Sequence, residues 1–331
     1  MRRFKIALTG TLGVLGSQLA RRLDEDENCR RLVLLDLVPP SRDLKKARYY
    51  RVDLTDPTAS SRIAEALERE RVHVLVHLAF LQHPTRNPGY EHELESLGTM
   101  HLVHALTRLA RTGSAPHVVV GSSTLVYGAR AANPSFLAED APLAGRRDYP
   151  LIAEKIDAER QLERLHACEG IAVTVVRAAP ILWPGARTLA GRYLSLPAVP
   201  TILGFNPMIQ TLSLPDAVEA LRRAVERGAA TGGSGPLRAY NVCSPDVLPL
   251  HTAIRFCGRR TVPLLRFAAN TMIDALFQAG LAIAPSPHLD FLQYPCVADG
   301  ERARAELAFV PTQSTRQTIL GFARMRIRDA A

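Results

Sequence analysis

The chain has 331 residues, about twice the usual length of one domain, so it has room for a large core and two lobes. Its 47% hydrophobic, 22% charged and 6% aromatic residues exclude a disordered, collagenous or coiled-coil protein. The formal charge of +9 does not indicate a nucleic-acid partner, because only four of the 41 basic residues are lysines and the arginines are mostly interleaved with acids.

The first 180 residues alternate short β-rich runs with longer helical patterns. Six strands are predicted: Phe4–Thr9, Arg31–Asp36, Arg48–Asp53, Val72–Leu78, His117–Ser122 and Ala172–Arg177. This alternation predicts an α/β fold with a Rossmann-type, doubly wound parallel sheet. Ligands of such sheets bind beyond the carboxyl ends of the strands, and we expect the chemistry there.

A glycine-rich turn follows the first strand and precedes an amphipathic helix. Its glycines have the spacing GxxGxxG, which allows a tight turn, a close approach of backbone N–H groups to a pyrophosphate, and close packing of helix on strand. The predicted cofactor contacts in this turn are Gly10, Thr11, Leu12, Gly13, Val14, Leu15 and Gly16. Asp36, at the tip of the second strand, can bind an adenosine ribose and would repel a 2′-phosphate, so the pattern predicts NAD (NADH) rather than NADP.

The third and fourth strands end in further candidate contacts. Asp53, with Leu54, could bind the adenine amino group, although an exposed aspartate at a strand end is also common. Leu78 and the small Ala79 would let the cofactor lie close to the backbone. His77, just before them, is interpreted as a core histidine.

After Pro180 the alternation stops, and prolines and glycines cluster. We predict an NAD-binding domain over residues 1–180 and a smaller carboxy-terminal substrate lobe over 181–331. Segments such as 212–243 are expected to pack back on the first domain, through a helix from about Asp216 to Arg227 and a strand near Tyr240–Cys243.

The cysteines and the apolar segments indicate the cellular compartment and whether the chain crosses a membrane. Five cysteines lie far apart without a CxxC pair, and Met1 leads directly into a predicted strand, so we expect a cytoplasmic protein. The longest apolar segment, from about Thr261 to Pro285, is interrupted by Arg266, Asn270 and Asp274. It is too broken for a transmembrane segment, and we predict a buried or pocket-lining helix.

The amino-terminal TGxxGxxG and the run from Val118 to Gly128, VVVGSSTLVYG, resemble the extended short-chain dehydrogenases, also called the NAD-dependent epimerase/dehydratase family. The resemblance covers nearly the whole chain. Later matches are Glu139–Leu143, Lys155–Glu159, Arg177–Pro180, the DAVEA run that starts at Asp216, and Tyr240–Val242. By this resemblance Ala179 joins the predicted cofactor contacts.

The resemblance implies a Ser/Thr, Tyr and Lys that act beside the nicotinamide. Ser123 matches the serine that binds the substrate oxygen, and Lys155 matches the lysine that holds the nicotinamide ribose and lowers the tyrosine pKa. The tyrosine should lie four residues before the lysine, but that residue is Leu151, which can neither donate nor accept a proton. The usual acid–base step is therefore absent from the motif.

Tyr149 is a candidate replacement. It lies about 240° around a helix from Lys155, but Pro150 suits the first helical position, so Tyr149 could lie outside the helix and turn toward the site. A second departure is Glu95, where the resemblance implies an asparagine that bends a helix and supports a water relay to the lysine. Two parts of one proton pathway are altered.

Other candidate proton donors are Tyr127, His83 and Glu154. For His83, the alternative of a solvated loop histidine without a catalytic role remains open. His101 and His104 lie one turn apart, but no third ligand accompanies them, so we predict no metal site.

The second lobe offers mainly apolar candidates for the substrate site. They are Ile181, Leu182, Trp183, Tyr193–Leu196, Thr201–Leu203, Phe205 and the region Leu264–Leu281. They favour a small hydrophobic substrate over a nucleotide sugar, although Arg177, Arg187 and Arg192 could clamp a diphosphate.

Three functions remain open at this stage. The first is an NAD(H)-dependent oxidoreductase acting on a hydrophobic, aromatic metabolite of secondary metabolism. The second is a nucleotide-sugar epimerase or dehydratase. The third is an NAD-binding protein that has lost catalysis with the tyrosine. Family members often pair through the helices that carry the lysine motif, so a homodimer is also predicted.

Overall fold

The computed structural model of the chain describes residues 3–329. The strands are β1 (Phe4–Thr9), β2 (Cys29–Asp36), β3 (Ala47–Arg51), β4 (Val74–His77), β5 (His117–Ser123), β6 (Val173–Ala178), β7 (Ile181–Leu182), β8 (Ala198–Ile202), β9 (Met208–Ile209), β10 (Leu212–Ser213), β11 (Leu237–Val242), β12 (Leu248–Pro249) and β13 (Arg260–Leu264). The α-helices are α1 (Val14–Glu25), α2 (Ala59–Glu70), α3 (Pro88–His92), α4 (Gly98–Arg111), α5 (Pro150–Glu169), α6 (Leu189–Tyr193), α7 (Leu214–Thr231), α8 (Leu250–Phe256), α9 (Arg266–Gln278), α10 (Glu301–Leu307) and α11 (Thr315–Asp329).

Seven parallel strands form the central sheet in the order β11-β6-β5-β4-β1-β2-β3. The predicted Rossmann-type sheet is therefore confirmed. Between β1 and β4 the direction of strand progression reverses, and ligands of doubly wound sheets bind in the crevice at that point. The glycine turn after β1 and the ends of β4 and β5 all lie there.

Alternating apolar side chains give the sheet two buried faces, each covered by helices. One face packs on α1 and α7 through residues such as Leu19 and Leu221. The other packs on α2, α4 and α5 through residues such as Ile63, Leu106 and Leu162. Two helical layers hold the strand ends rigid, so side chains just beyond them have fixed positions.

A third apolar cluster is formed by residues after position 181, among them Leu194, Ile254 and Phe322. Residues 212–242 return to the sheet, since α7 covers one face and β11 pairs with β6 at the edge. The division into domains at residue 180 stays a prediction. None of the helices within residues 3–329 is long and apolar enough to cross a membrane.

Two expectations about elements were wrong. The third strand ends at Arg51 rather than at Asp53, so Asp53 lies in the turn beyond it. The segment from Thr261 does not form a buried or pocket-lining helix: it divides into β13 and α9, and Phe267 on α9 is 84% exposed. Only Ala269 and Phe277 of α9 are buried. The helix packs by one narrow face, which apolar content alone does not reveal.

Candidate functional site

A cavity of about 400 Å³ lies at the carboxyl ends of the central strands. Its lining includes glycines of the turn and Leu78, together with Ser123 and Lys155. Residues of later segments, including Trp183 and His288, also line it. The cavity therefore joins the predicted cofactor turn to the predicted catalytic residues.

The glycine turn depends on residues without side chains. Gly10 has φ of +74°, and a Cβ there would lie 2.5 Å from the Leu78 carbonyl carbon. A Cβ on Gly16 would lie 2.2 Å from the Gly10 carbonyl oxygen, because α1 starts directly against the turn. Helix α1 begins at Val14 with Gly13 as its N-cap, and both line the cavity. A helix N-terminus reached through such a turn suits a pyrophosphate.

Asp36 meets the glycine turn at the tip of β2. Its Oδ2 accepts hydrogen bonds from Leu12 N at 3.2 Å and from Thr11 Oγ1 at 2.9 Å, and its Oδ1 accepts one from Leu37 N. A carboxylate offers about four lone-pair sites, so the carboxylate can accept about one further hydrogen bond. The turn and the acid that predicted NAD are thus a single structural unit.

The other predicted cofactor contacts are divided between the cavity wall and its surroundings. Val14, Leu15, Leu78 and Ala179 line the cavity. Six predicted contacts are not among its lining residues: Thr11, Leu12, Asp36, Asp53, Leu54 and Ala79. Thr55 N and Thr55 Oγ1 both donate to Asp53 Oδ1, so the Asp53 carboxylate stabilises a local turn. The Leu54 side chain is buried against Gly98, the first residue of α4. The buried His77 ring contacts Thr9 and Thr99, and burial lowers its pKa to about 4, as expected for a core histidine.

Lys155 is held by Glu95 in a buried ion pair. Its Nζ donates to both Glu95 carboxylate oxygens at 3.1 and 3.2 Å, and to the Leu81 carbonyl at 3.0 Å. Glu95 is fully buried and also accepts from Leu81 N. Burial raises the pKa of Glu95, and the Lys155 ammonium opposes this shift. The carboxylate thus lies on the lysine itself, where the resemblance implied an asparagine and a water.

Glu95 lies in a π-helical turn, Glu93–Leu97, between α3 and α4. Such wide turns are frequent at functional sites. Beside it, Glu91 is 1% exposed, and its Oε1 has no hydrogen-bond partner among the described residues. Burial, with the Glu95 charge adding to it, raises the pKa of Glu91 to about 7.

Ser123 and Leu151 both line the cavity. Ser123 Oγ accepts from Leu125 N at 3.3 Å, which occupies one lone pair and leaves the hydroxyl proton free to donate. The neighbouring Ser122 instead donates to Glu159 Oε1 at 2.5 Å. Leu151 and Lys155 are one turn apart on α5 and share a face, so the wall is apolar at the place of the implied tyrosine.

Tyr149 is the N-cap of α5 and lies just outside the helix, as Pro150 predicted. Its side chain is fully buried and is not among the residues that line the cavity. Tyr149 Oη lies 3.4 Å from Nδ1 of His288, a cavity-lining residue. Burial raises the pKa of Tyr149, which keeps the phenol protonated. A direct catalytic role for Tyr149 stays a prediction, and the structure connects it to the cavity through His288.

Several other candidates have structural partners. Tyr127 is buried, donates to Asn241 Oδ1 at 2.7 Å and accepts from Arg177 Nη1 at 2.9 Å. Arg177 is itself paired with Glu159 at 2.7 Å, so the predicted diphosphate clamp lacks one of its three arginines. Glu154 pairs with His92 at 3.1 Å. None of these side chains lines the cavity among the residues described.

His83 and Arg187 do line the cavity. The apolar wall includes Ile181, Trp183 and Tyr193, as expected, but Leu203 is exposed and α9 contributes nothing to it. Within residues 3–329, no group of three or more His, Cys, Asp or Glu side chains is arranged to hold a metal ion.

Sequence reasoning missed His288 and Glu91. His288 lies 139 positions from Tyr149 in the chain, and no motif surrounds it. Glu91 had a weak signal, since it lies one helical turn before Glu95, but its burial depends on how α3 packs against α5.

The chain is similar to known proteins in sequence and in fold. The model of the NAD dependent epimerase/dehydratase family matches residues 6–195. An uncharacterised protein of Mycobacterium tuberculosis (strain ATCC 25618 / H37Rv) is 30% identical over 318 residues, which cover 94% of this chain and 81% of that protein. A 3-diazoavenalumate denitrifying reductase from a Streptomyces species is 30% identical over 244 residues, 69% of this chain and 74% of that enzyme. The crystal structure of dTDP-glucose 4,6-dehydratase from Bacillus anthracis str. Ames in complex with NAD superposes with a TM-score of 0.72 at 14% identity, covering 98% of this chain and 97% of the other.

Proposed function

The chain belongs to the NAD-dependent epimerase/dehydratase family and its cofactor is NAD, and we propose that it is an oxidoreductase that reduces a carbonyl, or oxidises a secondary alcohol, on a small hydrophobic, aromatic metabolite. One observation carries the proposal: a single cavity is lined by the glycine turn, by Ser123 and Lys155, and elsewhere mainly by apolar side chains. Mainly apolar walls with a few placed polar groups are typical of sites for small ligands.

The glycine turn at the cavity, and Asp36 bound to that turn, supply groups that suit the cofactor. The turn from Gly10 to Gly16 would hold the pyrophosphate, and Asp36 would accept from the adenosine ribose. An ammonium has three N–H donors. Both Glu95 carboxylate oxygens and the Leu81 carbonyl accept from Lys155, so its three donors are engaged, and one of them would bind the nicotinamide ribose only if the two Glu95 oxygens share a single N–H group. When bound, NADH supplies a hydride to the substrate.

At the substrate end, Ser123 would donate its hydroxyl hydrogen to the substrate oxygen. Leu151 supplies no proton, and a general acid typically contributes about 10²–10⁴-fold, whereas positioning contributes more. Hydride transfer therefore does not require the missing phenol. It would suit a substrate that stabilises its own alkoxide or enolate, such as a conjugated or quinone-like ketone.

A second candidate is the reductive removal of nitrogen from an aromatic diazo compound. It is supported by the similarity to the 3-diazoavenalumate denitrifying reductase and by Leu151. When hydride replaces dinitrogen on a diazonium carbon, the bond to nitrogen breaks, N₂ leaves with its electron pair, and no proton is consumed. A site without an acid suffices for that reaction.

A nucleotide-sugar epimerase or dehydratase has less support. Its diphosphate needs a cationic clamp, but Arg177 is neutralised by Glu159, and only Arg187 of the three predicted arginines lines the cavity.

A protein that binds NAD without catalysis would show saturable NAD(H) binding and no turnover.

The test measures NAD(H) binding by calorimetry and NADH oxidation with a panel of aromatic ketones, quinones, aryl diazonium salts, UDP-glucose and dTDP-glucose. We expect NADH to bind and to be oxidised with an aromatic member of the panel. In Ser123→Ala, oxidation with a ketone should fall about 10²-fold, the usual cost of losing one donor to a developing oxyanion, while NADH affinity is kept.

Ser122→Ala is the matched control, because Ser122 lines the same cavity but donates to Glu159. Equal losses in the two variants would remove Ser123 from the mechanism. Binding of NADH without turnover of any compound would support the non-catalytic alternative.

A further inference from the structure

His288 is a cavity-lining imidazole that the mechanism above does not use. It lies on the 3₁₀ helix Ser286–Leu292, and it lines the same cavity as Leu151, Ser123 and Lys155. Its ring stacks on Phe291 at 5.6 Å and 27°, and meets the edge of the Tyr149 ring at 6.1 Å. Two aromatic neighbours therefore fix the plane of the imidazole.

Tyr149 also determines which ring nitrogen carries the proton. Its Oη lies 3.4 Å from His288 Nδ1, and no other hydrogen bond of this hydroxyl is formed with the described residues. If Nδ1 were the donor, the buried phenol proton would lack an acceptor. Buried orphaned donors are rarer than under-satisfied acceptors, so the phenol donates to Nδ1 and the proton lies on Nε2.

Nε2–H is the free donor of the pair. Within the described chain it has no hydrogen-bond partner, and His288 lines the cavity wall near the apolar group that contains Leu151. Burial lowers the pKa of His288 to about 4, so the ring is neutral at neutral pH. A neutral imidazole can polarise a carbonyl as a hydrogen-bond donor.

We propose that His288 is a catalytic residue whose Nε2–H donates to the substrate oxygen in place of the missing phenol, and that Tyr149 is a positioning residue that holds the ring in this tautomer. The inference rests on the proposed function. It assigns a bound oxygen with developing negative charge to a region of the cavity between α5 and the Ser286–Leu292 helix. No proton needs to leave His288, because the hydrogen bond alone stabilises the charge.

The ring tautomer is tested on the unliganded protein by ¹⁵N NMR with labelled histidine, the His288 signals being assigned from their loss in His288→Gln. We expect a neutral ring protonated at Nε2. In Tyr149→Phe, the population with the proton on Nδ1 should rise. A wild-type ring protonated at Nδ1, or a tautomer unaffected in Tyr149→Phe, would overturn the positioning role.

The donor role is tested by the binding of 4-nitrophenolate, an aromatic oxyanion, to the NAD⁺-saturated protein. His288→Phe keeps an aromatic ring and should weaken binding about tenfold or more, the usual value of a hydrogen bond to a charged group. His288→Gln, whose amide nitrogen can replace Nε2, should retain part of the affinity. His104→Phe, the control at an exposed histidine that does not line the cavity, should change it little.

Equal affinities in wild type and His288→Phe, or no binding by the wild type, would overturn the proposal. Neither readout needs turnover. If the tautomer and binding experiments fail but the protein still oxidises NADH, only the role of His288 is wrong. If both experiments give the expected results but no compound is reduced, the proposed reaction is wrong.

Discussion

At the scale of single residues, Leu151 stands where the resemblance implied the tyrosine that donates a proton. It shares a face of α5 with Lys155 and lines the cavity beside Ser123. The lysine is present but is paired with Glu95, so both the acid and the expected relay differ from what the resemblance implied. If the substrate accepts a hydride at a site without a phenol, either another group donates the proton or the substrate needs no proton.

Leu151→Tyr tests how much the missing hydroxyl costs. Compared with Leu151→Phe, which has nearly the same size but no hydroxyl, we expect Leu151→Tyr to reduce an aromatic ketone about 10² times faster, the lower end of the range for general acid catalysis. The rates come from NADH oxidation at saturating cofactor. If the two variants reduce the ketone equally, the site does not use an acid at that position.

Helix α9 shows at the scale of elements how composition can mislead. Its sequence is rich in apolar residues, yet only Ala269 and Phe277 are buried, and Met272 is 45% exposed. The preceding strand β13 pairs with β8 and leads the chain to the surface, so α9 rests on the third apolar cluster by a narrow face. A helix was predicted in this segment, but neither the strand before it nor the exposure of its side chains was.

Two phenylalanines of α9 should therefore differ in their effect on stability. Phe277→Ser should lower the free energy of unfolding by about 3 kcal/mol, because it removes a buried ring. Phe267→Ser should change it by less than about 0.5 kcal/mol, because that ring is 84% exposed. Urea unfolding of both variants measures this. A comparable loss in Phe267→Ser would mean that its ring is covered in solution.

At the scale of the whole molecule, buried charges link elements that are far apart within the first 180 residues. The Lys155–Glu95 pair joins α5 to the π-helical turn, and the Arg177–Glu159 pair joins β6 to α5. Glu91 lies near the first pair without a matching cation or a hydrogen bond to its Oε1 among the described residues. Its pKa is raised from 4.5 to about 7, so the folded protein binds a proton there that the unfolded chain has released.

This difference gives stability a pH dependence of known sign. Between pH 4.5 and about 7 the folded state binds more protons at Glu91, so its contribution to stability is present at low pH and is lost as the pH rises. At about 1.4 kcal/mol per pKa unit, Glu91→Gln should raise stability at pH 8 by at most roughly 3 kcal/mol, and should flatten the slope below pH 7. Denaturant unfolding across this pH range measures both.

Glu93→Gln is the control, because Glu93 lies two residues away and is exposed. We expect it to leave the slope unchanged. An unchanged slope in Glu91→Gln would contradict the assignment of a protonated, buried carboxyl.

Much of the cofactor side could be predicted from the sequence because its determinants are local. The glycines, the strand before them and Asp36 lie within 33 consecutive residues, Phe4–Asp36, and the turn they form is restricted by backbone sterics. The periodicity of the first 180 residues was sufficient for the parallel sheet, which the strand order confirms. Ser123, Lys155 and the leucine in place of the tyrosine at position 151 were predicted from the family resemblance, whose motifs each lie within one short segment.

The substrate side depended on contacts between distant parts of the chain. The burial of Arg177 against Glu159, the carboxylate on Lys155, the exposure of α9 and the Tyr149–His288 contact join residues that no short motif connects. Whether a polar side chain is a ligand or a satisfied structural group depends on which partners packing brings to it. The sequence by itself determined the cofactor turn, and only the tertiary structure decided which polar side chains line the cavity and which are paired elsewhere, because those pairings join distant parts of the chain.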